Sequence, residues 1–318
     1  MHQDSSLPLV LLDLPPRHAV FEQILSGRVS VDVAADRGGL HQSSDARALV
    51  CRGRDPIDAS VLDRHEHVQA VICLGAGTDA VDSNAAAERG IEVIGDEGSG
   101  AVAVAEHVIG ALIALRRHFL PASVAVGEGQ WTLAREGFIG RELRGSVLSV
   151  VGFGSIAREV VAMAHHAFSM HTRVWAPRTD PGEIIDAGAE PVGQLTELFP
   201  GADALTVHVP LKDDTRGMVG EVELAALPEH AIVVNTARGA IICEDALAIA
   251  LKKGRLAGAA IDVFGSEPPD PGHPLLSAPN VLLTPHTAGL TSAADERRHQ
   301  AAARAVLRVL FDDSERAS

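Results

Sequence analysis

Residues 146–157 read SVLSVVGFGSIA, an apolar run followed by a glycine-rich turn. This order predicts a buried strand that leads directly into a helix. Gly152 permits the tight turn, Gly154 lets the backbone approach a pyrophosphate, and Ala157 is small enough for close contact between helix and strand. The alternative is an ordinary glycine-rich turn, so the surrounding pattern has to decide whether this stretch binds a dinucleotide.

Short apolar runs alternate with helical stretches on both sides of this turn. Strand candidates before it are LVLLD (9–13), VSVDV (29–33), RALVC (47–51), VQAVICLG (68–75) and IEVIG (91–95). Strand candidates after it are TRVWA (172–176), ALTVHV (204–209), AIVVNT (231–236), AGAAID (257–262) and NVLLT (280–284). Strands that alternate with helices predict parallel sheets covered on both faces, with right-handed crossovers. Together with residues 146–152, six strands are expected in the second half.

The helical stretches divide the chain into two predicted domains. The candidates are residues 101–119, 155–168, 221–227, 244–253 and 292–311. The last helix is amphipathic and follows the second series of strands, so we expect it to pack on the N-terminal half. We therefore predict a substrate-binding domain at 1–97 plus 291–318 and a dinucleotide-binding domain at 98–290. Residues 127–145 show no clear core period and are expected to form an arm or a subunit contact.

The composition is that of a globular protein with an acidic surface. Hydrophobic residues make up 46% of the 318 positions, charged residues 22%, and the formal net charge is −15. An acidic chain without a basic run disfavours nucleic acid and anionic membranes as partners. The widely spaced Cys51, Cys73 and Cys243 predict neither a disulfide framework nor a metal site. Without a signal peptide, and with only a short apolar stretch at 101–115, the chain is expected to be soluble and cytoplasmic.

Three polar side chains follow late strand candidates. Arg238 lies in NTARG, Glu267 in DVFGSEP and His286 in TPHTAG. Because the carboxyl ends of parallel strands meet at one edge of a sheet, we expect the three side chains to lie close together. Arginine, carboxylate and imidazole are the groups needed to bind an anionic 2-oxo acid and give it a proton. Taken singly, each residue has a simpler interpretation as a surface cation, a turn or a loop histidine.

The strand after the glycine-rich turn indicates which dinucleotide would bind. NAD sites usually place a carboxylate at the end of this strand, where it holds the ribose 2′-OH. Here the strand runs into Pro177, Arg178 and Thr179, and Asp180 comes slightly late. An arginine followed by a hydroxyl suits a 2′-phosphate, so we expect NADP(H) in preference to NAD(H). The alternative is that Arg178 is only a solvent-exposed loop residue.

Seven motifs occur in the order of a known family: LGAGTDAVD (74–82), VAEH (104–107), GFGSIA (152–157), HVPL (208–211), NTARG (235–239), DVFGSEP (262–268) and TPHTAG (284–289). With them the chain resembles the D-isomer-specific 2-hydroxyacid dehydrogenases, which include phosphoglycerate, glyoxylate and D-lactate dehydrogenases, over residues 47–290. The resemblance implies an α/β fold of two doubly wound parallel-sheet domains. One would be a flavodoxin-like substrate domain and the other a Rossmann cofactor domain, with the active site in the cleft between them.

The resemblance also implies a role for each motif residue. His286 would be the acid/base, Glu267 the partner that favours its imidazolium form, and Arg238 the group that binds and polarises the substrate. Relatives that act on formate carry an amide in place of Glu267, so this residue argues against formate. His208 is either a cofactor contact or a packed strand residue. The implied cofactor contacts, besides Gly152 and Gly154, are Ser155, Ile156, Val209, Pro210, Thr236, Ala237, Asp262 and Ala288.

The first domain matches the family's substrate side. The loop whose backbone N–H groups would hold the substrate carboxylate comprises Gly75, Ala76 and Gly77. Arg52, in CRGR (51–54), matches an arginine that contacts the distal anionic end in phosphoglycerate dehydrogenases. Cys73 stands where a second arginine is expected, which makes phosphoglycerate doubtful and favours a smaller acid such as glyoxylate or hydroxypyruvate.

The expected activity is hydride transfer between NAD(P)H and a small 2-oxo acid or D-2-hydroxy acid, running toward the hydroxy acid if NADPH is the donor. Residues 121–145, with Trp131, match the family's dimerisation element, so a homodimer is expected. Two alternatives stay open from sequence. One is a nucleotide-sensing, corepressor-like binding protein of the same fold, and the other is an oxidoreductase on a non-carboxylate substrate such as phosphite.

Overall fold

The computed structural model describes residues 7–13, 19–34, 40, 42, 44–52 and 56–311. The last two residues of CRGR and both ends of the chain, 1–6 and 312–318, thus lie outside the described residues. The chain divides into two compact units, Met1–Gly100 with Leu290–Ser318 (unit 1) and Ala101–Gly289 (unit 2). Each unit contains a parallel sheet with helices, which confirms the predicted fold class.

The elements alternate along the chain as the apolar runs predict. The strands are β1 Leu9–Leu12, β2 Ser30–Val33, β3 Ala46–Cys51, β4 Ala70–Cys73, β5 Glu92–Ile94, β6 Val147–Val151, β7 His171–Trp175, β8 Glu190–Pro191, β9 Ala204–Val207, β10 Ile232–Asn235, β11 Gly258–Ile261 and β12 Val281–Leu283. The α-helices are α1 Ala19–Leu25, α2 Ala59–Leu62, α3 Ser83–Glu88, α4 Ala101–Arg116, α5 Phe119–Gly127, α6 Trp131–Gly137, α7 Ser155–Phe168, α8 Pro181–Asp186, α9 Glu221–Ala225, α10 Glu244–Lys252 and α11 Ser292–Phe311.

Unit 1 is a five-stranded sheet in the order β2-β1-β3-β4-β5. Its central strands β1, β3 and β4 contribute buried apolar side chains to both faces, because both faces are covered. On one face the amphipathic α11 packs Ala303 and Val306 against Val10, Val50 and neighbouring side chains. This order places the end of β4 between the ends of β3 and β5.

Unit 2 is a seven-stranded sheet in the order β12-β11-β10-β9-β6-β7-β8. Helices α4 and α7 cover one face, where Leu112 and Val160 join Val150 in the core. Helix α10 covers the other face through Leu247 and Leu251. The strand order reverses between β6 and β9, and ligands of doubly wound sheets bind at such a switch point, beyond the carboxyl ends of the strands.

Two expectations about local structure are corrected: the extent of the helix over 101–119 and the number of strands in the second half. The helix expected over 101–119 ends at Arg116, because His118 takes a left-handed conformation with φ 53° and starts a new helix, α5. Pro121 is accommodated in the first turn of α5, where its missing N–H costs no helical hydrogen bond. The stretch 127–145 contains a regular helix, α6. The two-residue β8 is a seventh strand, too short to leave an apolar run in the sequence.

No single helix among the described residues is long and apolar enough to cross a membrane. Only together do helices α4 and α5 reach the length and apolar composition of a membrane span, and the pair is bent by 55° at the break between them.

Candidate active site

The turn after β6 leaves open space at the start of α7. Gly152 has φ 92°, and a Cβ there would lie 2.6 Å from the carbonyl oxygen of His208, so any side chain is excluded. Gly154 precedes α7, and a Cβ at that position would meet none of the described atoms within 4 Å. Ser155 and Ile156 begin the 14-residue α7 and are half-buried. Open space therefore lies beside the N-terminus of a long helix, the arrangement that binds a pyrophosphate.

The groups after β7 bear on the choice of dinucleotide. The Arg178 side chain is 77% exposed, and its Nη2 lies 3.5 Å from Oδ2 of Asp214. Asp180 is the N-cap of α8, because its carboxylate accepts the N–H of Gly182 at 2.8 Å. The charged side chain nearest the end of β7 is thus the cationic Arg178, which lies beside Asp214, while Asp180, also exposed, caps α8.

Two buried polar atoms lie at the ends of β9 and β10. Nδ1 of His208 and Oγ1 of Thr236 are buried and have no hydrogen-bond partner in the described part of the chain. Burial lowers the pKa of His208 to about 4, so its ring is neutral, and its Nε2 lies 2.9 Å from Oγ1 of Thr206. Buried polar atoms without partners are costly, and a bound ligand could supply the partner. Val209 and Pro210 follow directly, half-buried and exposed respectively.

Arg238 follows β10 in a turn that a neighbouring side chain holds. The Asn235 side chain donates to the carbonyl oxygen of Arg238 at 2.9 Å and accepts the N–H of Ala237 at 3.1 Å. Arg238 itself is half-buried, and its Nη1 donates to the carbonyl oxygen of Ala237 at 2.7 Å. The short loop thus has a defined shape although it contains no regular hydrogen-bonded ladder.

The Arg238 turn is packed tightly against the loop that carries Glu267. A Cβ on Gly239 would lie 2.0 Å from the carbonyl carbon of Phe264, so only glycine allows the two backbones to touch. Glu244, at the start of α10, accepts the N–H of Gly265 at 3.0 Å and lies 3.3 Å from Nε2 of His273. These contacts make Glu244 and Gly239 positioning residues for the Glu267 loop. The sequence motifs gave no sign of this role for either residue.

Glu267 and His286 form a direct pair. Nδ1 of His286 lies 2.7 Å from Oε2 of Glu267, and Oε1 accepts the N–H of Phe264 at 3.1 Å. Burial raises the pKa of Glu267, but the hydrogen bonds from His286 and Phe264 and the charges of His286 and Arg238 lower it by more. Glu267 is therefore ionised at neutral pH. The side chains of His286 and Glu267 are 50% and 38% exposed, so a small molecule can reach the ring.

Asp262 anchors the loop that carries His286. Three successive backbone amides donate to this one residue: His286 N to its carbonyl oxygen at 2.7 Å, Thr287 N to Oδ1 at 2.8 Å, and Ala288 N to Oδ2 at 2.9 Å. The Thr284 hydroxyl adds a bond to Oδ1 at 2.6 Å. These bonds hold His286 in a left-handed conformation, φ 55°, which is uncommon for a residue other than glycine.

This anchoring role was not expected from the sequence. Asp262 is 2% exposed, and both carboxylate oxygens are already bonded to its own unit. A contact from Asp262 to the nicotinamide carboxamide stays a prediction. A cofactor contact from Ala288, which is 4% exposed, also stays a prediction. His107, in the VAEH motif, reaches the same network, with Nε2 3.4 Å from the hydroxyl of Thr284.

In unit 1, the glycine-rich loop follows β4 directly. Gly75 has φ 151°, and its carbonyl oxygen accepts the N–H of Asp96 at 2.8 Å. Ala76 is exposed and Gly77 half-buried. Arg52 follows the neighbouring β3, and its backbone N–H donates to Oδ2 of Asp13 at 2.7 Å. The predicted substrate residues of this unit thus stand at the carboxyl ends of two adjacent strands.

Residues 109–288 match the family described as "D-isomer specific 2-hydroxyacid dehydrogenase, NAD binding domain". The chain belongs to this family. It is 36% identical over 272 residues to a D-3-phosphoglycerate dehydrogenase of Methanocaldococcus jannaschii, covering 85% of this chain and 51% of that protein. It is 35% identical over 255 residues to a hydroxypyruvate reductase of Thermotoga maritima, covering 78% and 80%.

The fold of the family is also found in solved structures. A crystal structure of a Thermus thermophilus protein superposes with a TM-score of 0.86 at 31% identity, covering 96% of this chain and 97% of the other. The chain spans about half the length of the D-3-phosphoglycerate dehydrogenases that it matches. Family membership and fold are therefore established, and they agree with the resemblance seen in the seven motifs.

Proposed function

We propose that the chain is an NAD(P)H-dependent oxidoreductase that interconverts a small 2-oxo acid and the D-2-hydroxy acid. The observation that carries the proposal is the 2.7 Å contact between His286 Nδ1 and an ionised Glu267. A carboxylate bonded to Nδ1 favours imidazolium and leaves Nε2 as the nitrogen that exchanges a proton with substrate. Arg238 is near enough for its charge to act on Glu267, so one edge of the sheet holds all three groups.

The residues around the β6 turn fit a dinucleotide. Gly152 and Gly154 would admit the pyrophosphate, with Ser155 and Ile156 at the helix start. Thr236, with its unpartnered hydroxyl, and Ala237 would line the nicotinamide, while Val209 and Pro210 would lie beside the adenosine. When bound, the reduced nicotinamide supplies the hydride.

Each protein group then has one task during reduction. Arg238 binds the substrate carboxylate and polarises the carbonyl toward attack. His286, as imidazolium, gives the Nε2 proton to the carbonyl oxygen, and Glu267 stabilises the ring while it is charged. In the oxidation direction, neutral His286 removes the hydroxyl proton. Asp262 keeps the ring in place through the three amides of its loop.

The proposed substrate is a short anionic 2-oxo acid, with glyoxylate and hydroxypyruvate as the first candidates. Its carboxylate would be held by the backbone of residues 75–77, and Arg52 would face any distal group. Cys73 is buried at the end of β4 in place of the expected second arginine. The T. maritima relative named hydroxypyruvate reductase supports this class.

NADPH is the proposed donor. Its support is the exposed Arg178 and the use of Asp180 as a helix cap. Replacing Arg178 by Asp should move the preference from NADPH to NADH, because a carboxylate repels the 2′-phosphate and accepts a bond from the ribose 2′-OH. The same change at the exposed Arg255, which lies beyond α10, is the matched control and should leave the ratio of kcat/KM values unchanged. A wild-type preference for NADH would contradict this assignment.

We also propose that residues 1–97 plus 291–318 bind substrate, that residues 98–290 bind the dinucleotide, and that the protein is a homodimer. Large apolar side chains on and beside α5 and α6 support the dimer; those more than half exposed are Phe119, Leu120, Val124, Trp131, Leu133 and Ile139. An apolar patch of this size usually marks a contact surface.

A panel of 2-oxo acids, assayed with each cofactor, tests the proposed function. Oxidation of NADPH with glyoxylate or hydroxypyruvate is the expected result. Tight NADPH binding without turnover of any acid would instead favour the nucleotide-sensing alternative. Turnover of phosphite with NAD(P)+ and of none of the acids would favour the non-carboxylate alternative.

A further inference from the structure

Two cysteines of unit 1 are neighbours in the fold although 22 positions separate them in the chain. Cys51 ends β3 and Cys73 ends β4, and the two residues pair directly in the register of these parallel strands. Their Sγ atoms lie 3.7 Å apart. The side chains share one face of the sheet and are buried, at 3% and 2% exposure of each residue.

The pair stands at the base of both segments that we assign to the substrate. Arg52 directly follows Cys51, and the glycine-rich loop starts two residues after Cys73, beyond Leu74. Backbone bonds tie the segments together, since Leu74 N donates to the carbonyl oxygen of Cys51 at 2.7 Å and Gly75 N donates to that of Cys73 at 2.9 Å. A change in the distance between the two sulfurs would therefore move both segments.

The geometry allows a covalent bond between the sulfurs. Neighbouring strands lie about 4.8 Å apart, within the range of about 4.4–6.8 Å between Cα atoms that a disulfide spans. The sulfurs would have to approach from 3.7 Å to about 2.05 Å, which requires a small movement of the strand ends.

We propose that Cys51 and Cys73 form a reversible disulfide that weakens substrate binding by displacing Arg52 and the glycine-rich loop. The site is a redox modification site for small oxidants of the peroxide class, because the burial of both thiols keeps larger molecules out. Formation of the disulfide does not depend on the proposed function; only the effect of the disulfide on substrate binding does.

The chemistry needs one peroxide for each disulfide. A hydrogen bond from the Cys51 thiol lowers the pKa of the Cys73 thiol, outweighing burial and the charges of Asp13 and Asp79, which raise it. The lowered pKa favours the Cys73 thiolate, which attacks a peroxide oxygen; the O–O bond breaks, and a sulfenic acid and hydroxide form, the hydroxide becoming water with the proton that the thiol released. The Cys51 sulfur then attacks the Cys73 sulfur and displaces hydroxide, which leaves as water after protonation. Two thiols lose two electrons and two protons in total, and a dithiol reductant reverses the change.

The third cysteine of the chain is the matched control. Cys243 is exposed and lies in unit 2. The full chain is treated with hydrogen peroxide, blocked with N-ethylmaleimide in denaturant and mapped by peptide mass spectrometry. We expect only Cys243 to be alkylated in the oxidised wild type, and a linked peptide pair that contains Cys51 and Cys73. Dithiothreitol added in denaturant, where the buried disulfide is accessible, should restore alkylation of all three cysteines.

Kinetics of the same samples test the consequence. We expect the KM for the 2-oxo acid to rise about tenfold on oxidation, as for the loss of one charge-assisted hydrogen bond, while NADPH binding stays the same. Cys51→Ala and Cys73→Ala should resist this change, whereas Cys243→Ala should respond like the wild type. Mapping of the wild type needs no variant, so poor folding of a variant would not obscure the result.

Three results would overturn the proposal. The first is full alkylation of all three cysteines after peroxide treatment. The second is a disulfide that joins Cys51 or Cys73 to Cys243 or to another chain in place of the Cys51–Cys73 bond. The third is a mapped Cys51–Cys73 bond with an unchanged KM, which would remove the effect on substrate. A lack of turnover by both reduced and oxidised protein, together with a mapped bond, would count against the proposed function and leave the modification site standing.

Discussion

Among the carboxylate–histidine pairs of unit 2, two lie at opposite edges of one sheet. Glu267 and His286 follow the carboxyl ends of β11 and β12, with 2.7 Å between Oε2 and Nδ1. Asp203 and His230 precede the amino ends of β9 and β10, with 3.2 Å between Oδ1 and Nε2. In both cases burial raises the pKa of the carboxyl group, and hydrogen bonds and nearby cations lower it by more.

The two pairs differ in what surrounds them. The Asp203 carboxylate also pairs with Arg116, whose side chain is 3% exposed. Arg116 donates to the backbone carbonyl oxygen of Asp203 as well. The Asp203 carboxylate further accepts the N–H of Val147. These bonds join α4, β6 and β9 into one core. The imidazole of His286 has its second nitrogen free of any carboxylate within the described structure, and its side chain is half exposed. The same chemistry therefore serves packing at one edge and suits proton transfer at the other.

The largest expected effect separates the two histidines. His286→Gln should lower kcat/KM by about 100- to 10,000-fold, because it removes the only proposed acid/base. His230→Gln, the matched change at the other edge, should leave turnover within about twofold, since a surface change of this kind costs little. Steady-state kinetics with NADPH and a 2-oxo acid, together with thermal unfolding of both variants, decide the point. Equal losses of kcat/KM in the two variants would contradict the proposed difference between the two carboxylate–histidine pairs.

The next effect concerns stability at the structural edge. Arg116→Met should lower the free energy of unfolding by about 3 kcal/mol, because it leaves Asp203 without its buried cation. The pKa of Asp203 is lowered in the folded protein, so its contribution to stability is complete above the ordinary carboxyl pKa and is lost on acidification. Urea unfolding of wild type and variant at neutral and acidic pH should therefore give curves that converge in acid. A difference that stays constant with pH would contradict this account.

The smallest effect is a change in pH dependence at the catalytic edge. Glu267→Gln should lower kcat for reduction by about tenfold, as for one lost charge-assisted hydrogen bond. The pKa of Glu267 is lowered, so its carboxylate supports the ring at neutral pH and this support is lost on acidification. The kcat values of wild type and variant should therefore converge in acid. Glu244→Gln is the comparison variant, because it weakens the hydrogen bonds that position the Glu267 loop but keeps the Glu267 carboxylate. A kcat ratio of wild type to Glu267→Gln that stays constant as the pH falls would mean that the 2.7 Å contact does not support the ring.

Much of this organisation could be predicted from sequence because it is local. The glycine-rich turn after β6, the apolar strands and the helices at 155–168 and 292–311 follow from spacing and residue type within short windows. Arg238, Glu267 and His286 were expected together because each follows a strand of one parallel sheet. The break at His118 was missed because a left-handed histidine leaves no distinctive pattern in an apolar helix.

The positioning contacts could not be predicted in this way. Asp262 holds His286 through backbone amides, and such bonds do not depend on which side chains the donors carry. Gly239 was read as part of a motif, whereas its necessity comes from the approach of Phe264, 25 positions further along the chain. In the sequence, Glu244 is only an acidic residue in the first turn of α10, where such residues are common.

By itself, the sequence determined the family, the α/β fold class and the residues that suit hydride and proton transfer, because ordered motifs and hydrophobic periods are properties of the chain. The tertiary structure decided which groups touch: Glu267 with His286, Asp262 with three successive amides, and Cys51 with Cys73. The reason is physical. Hydrogen bonds and sulfur–sulfur approach depend on distances of a few ångströms between segments far apart in the chain, and these distances are set only when the sheet assembles.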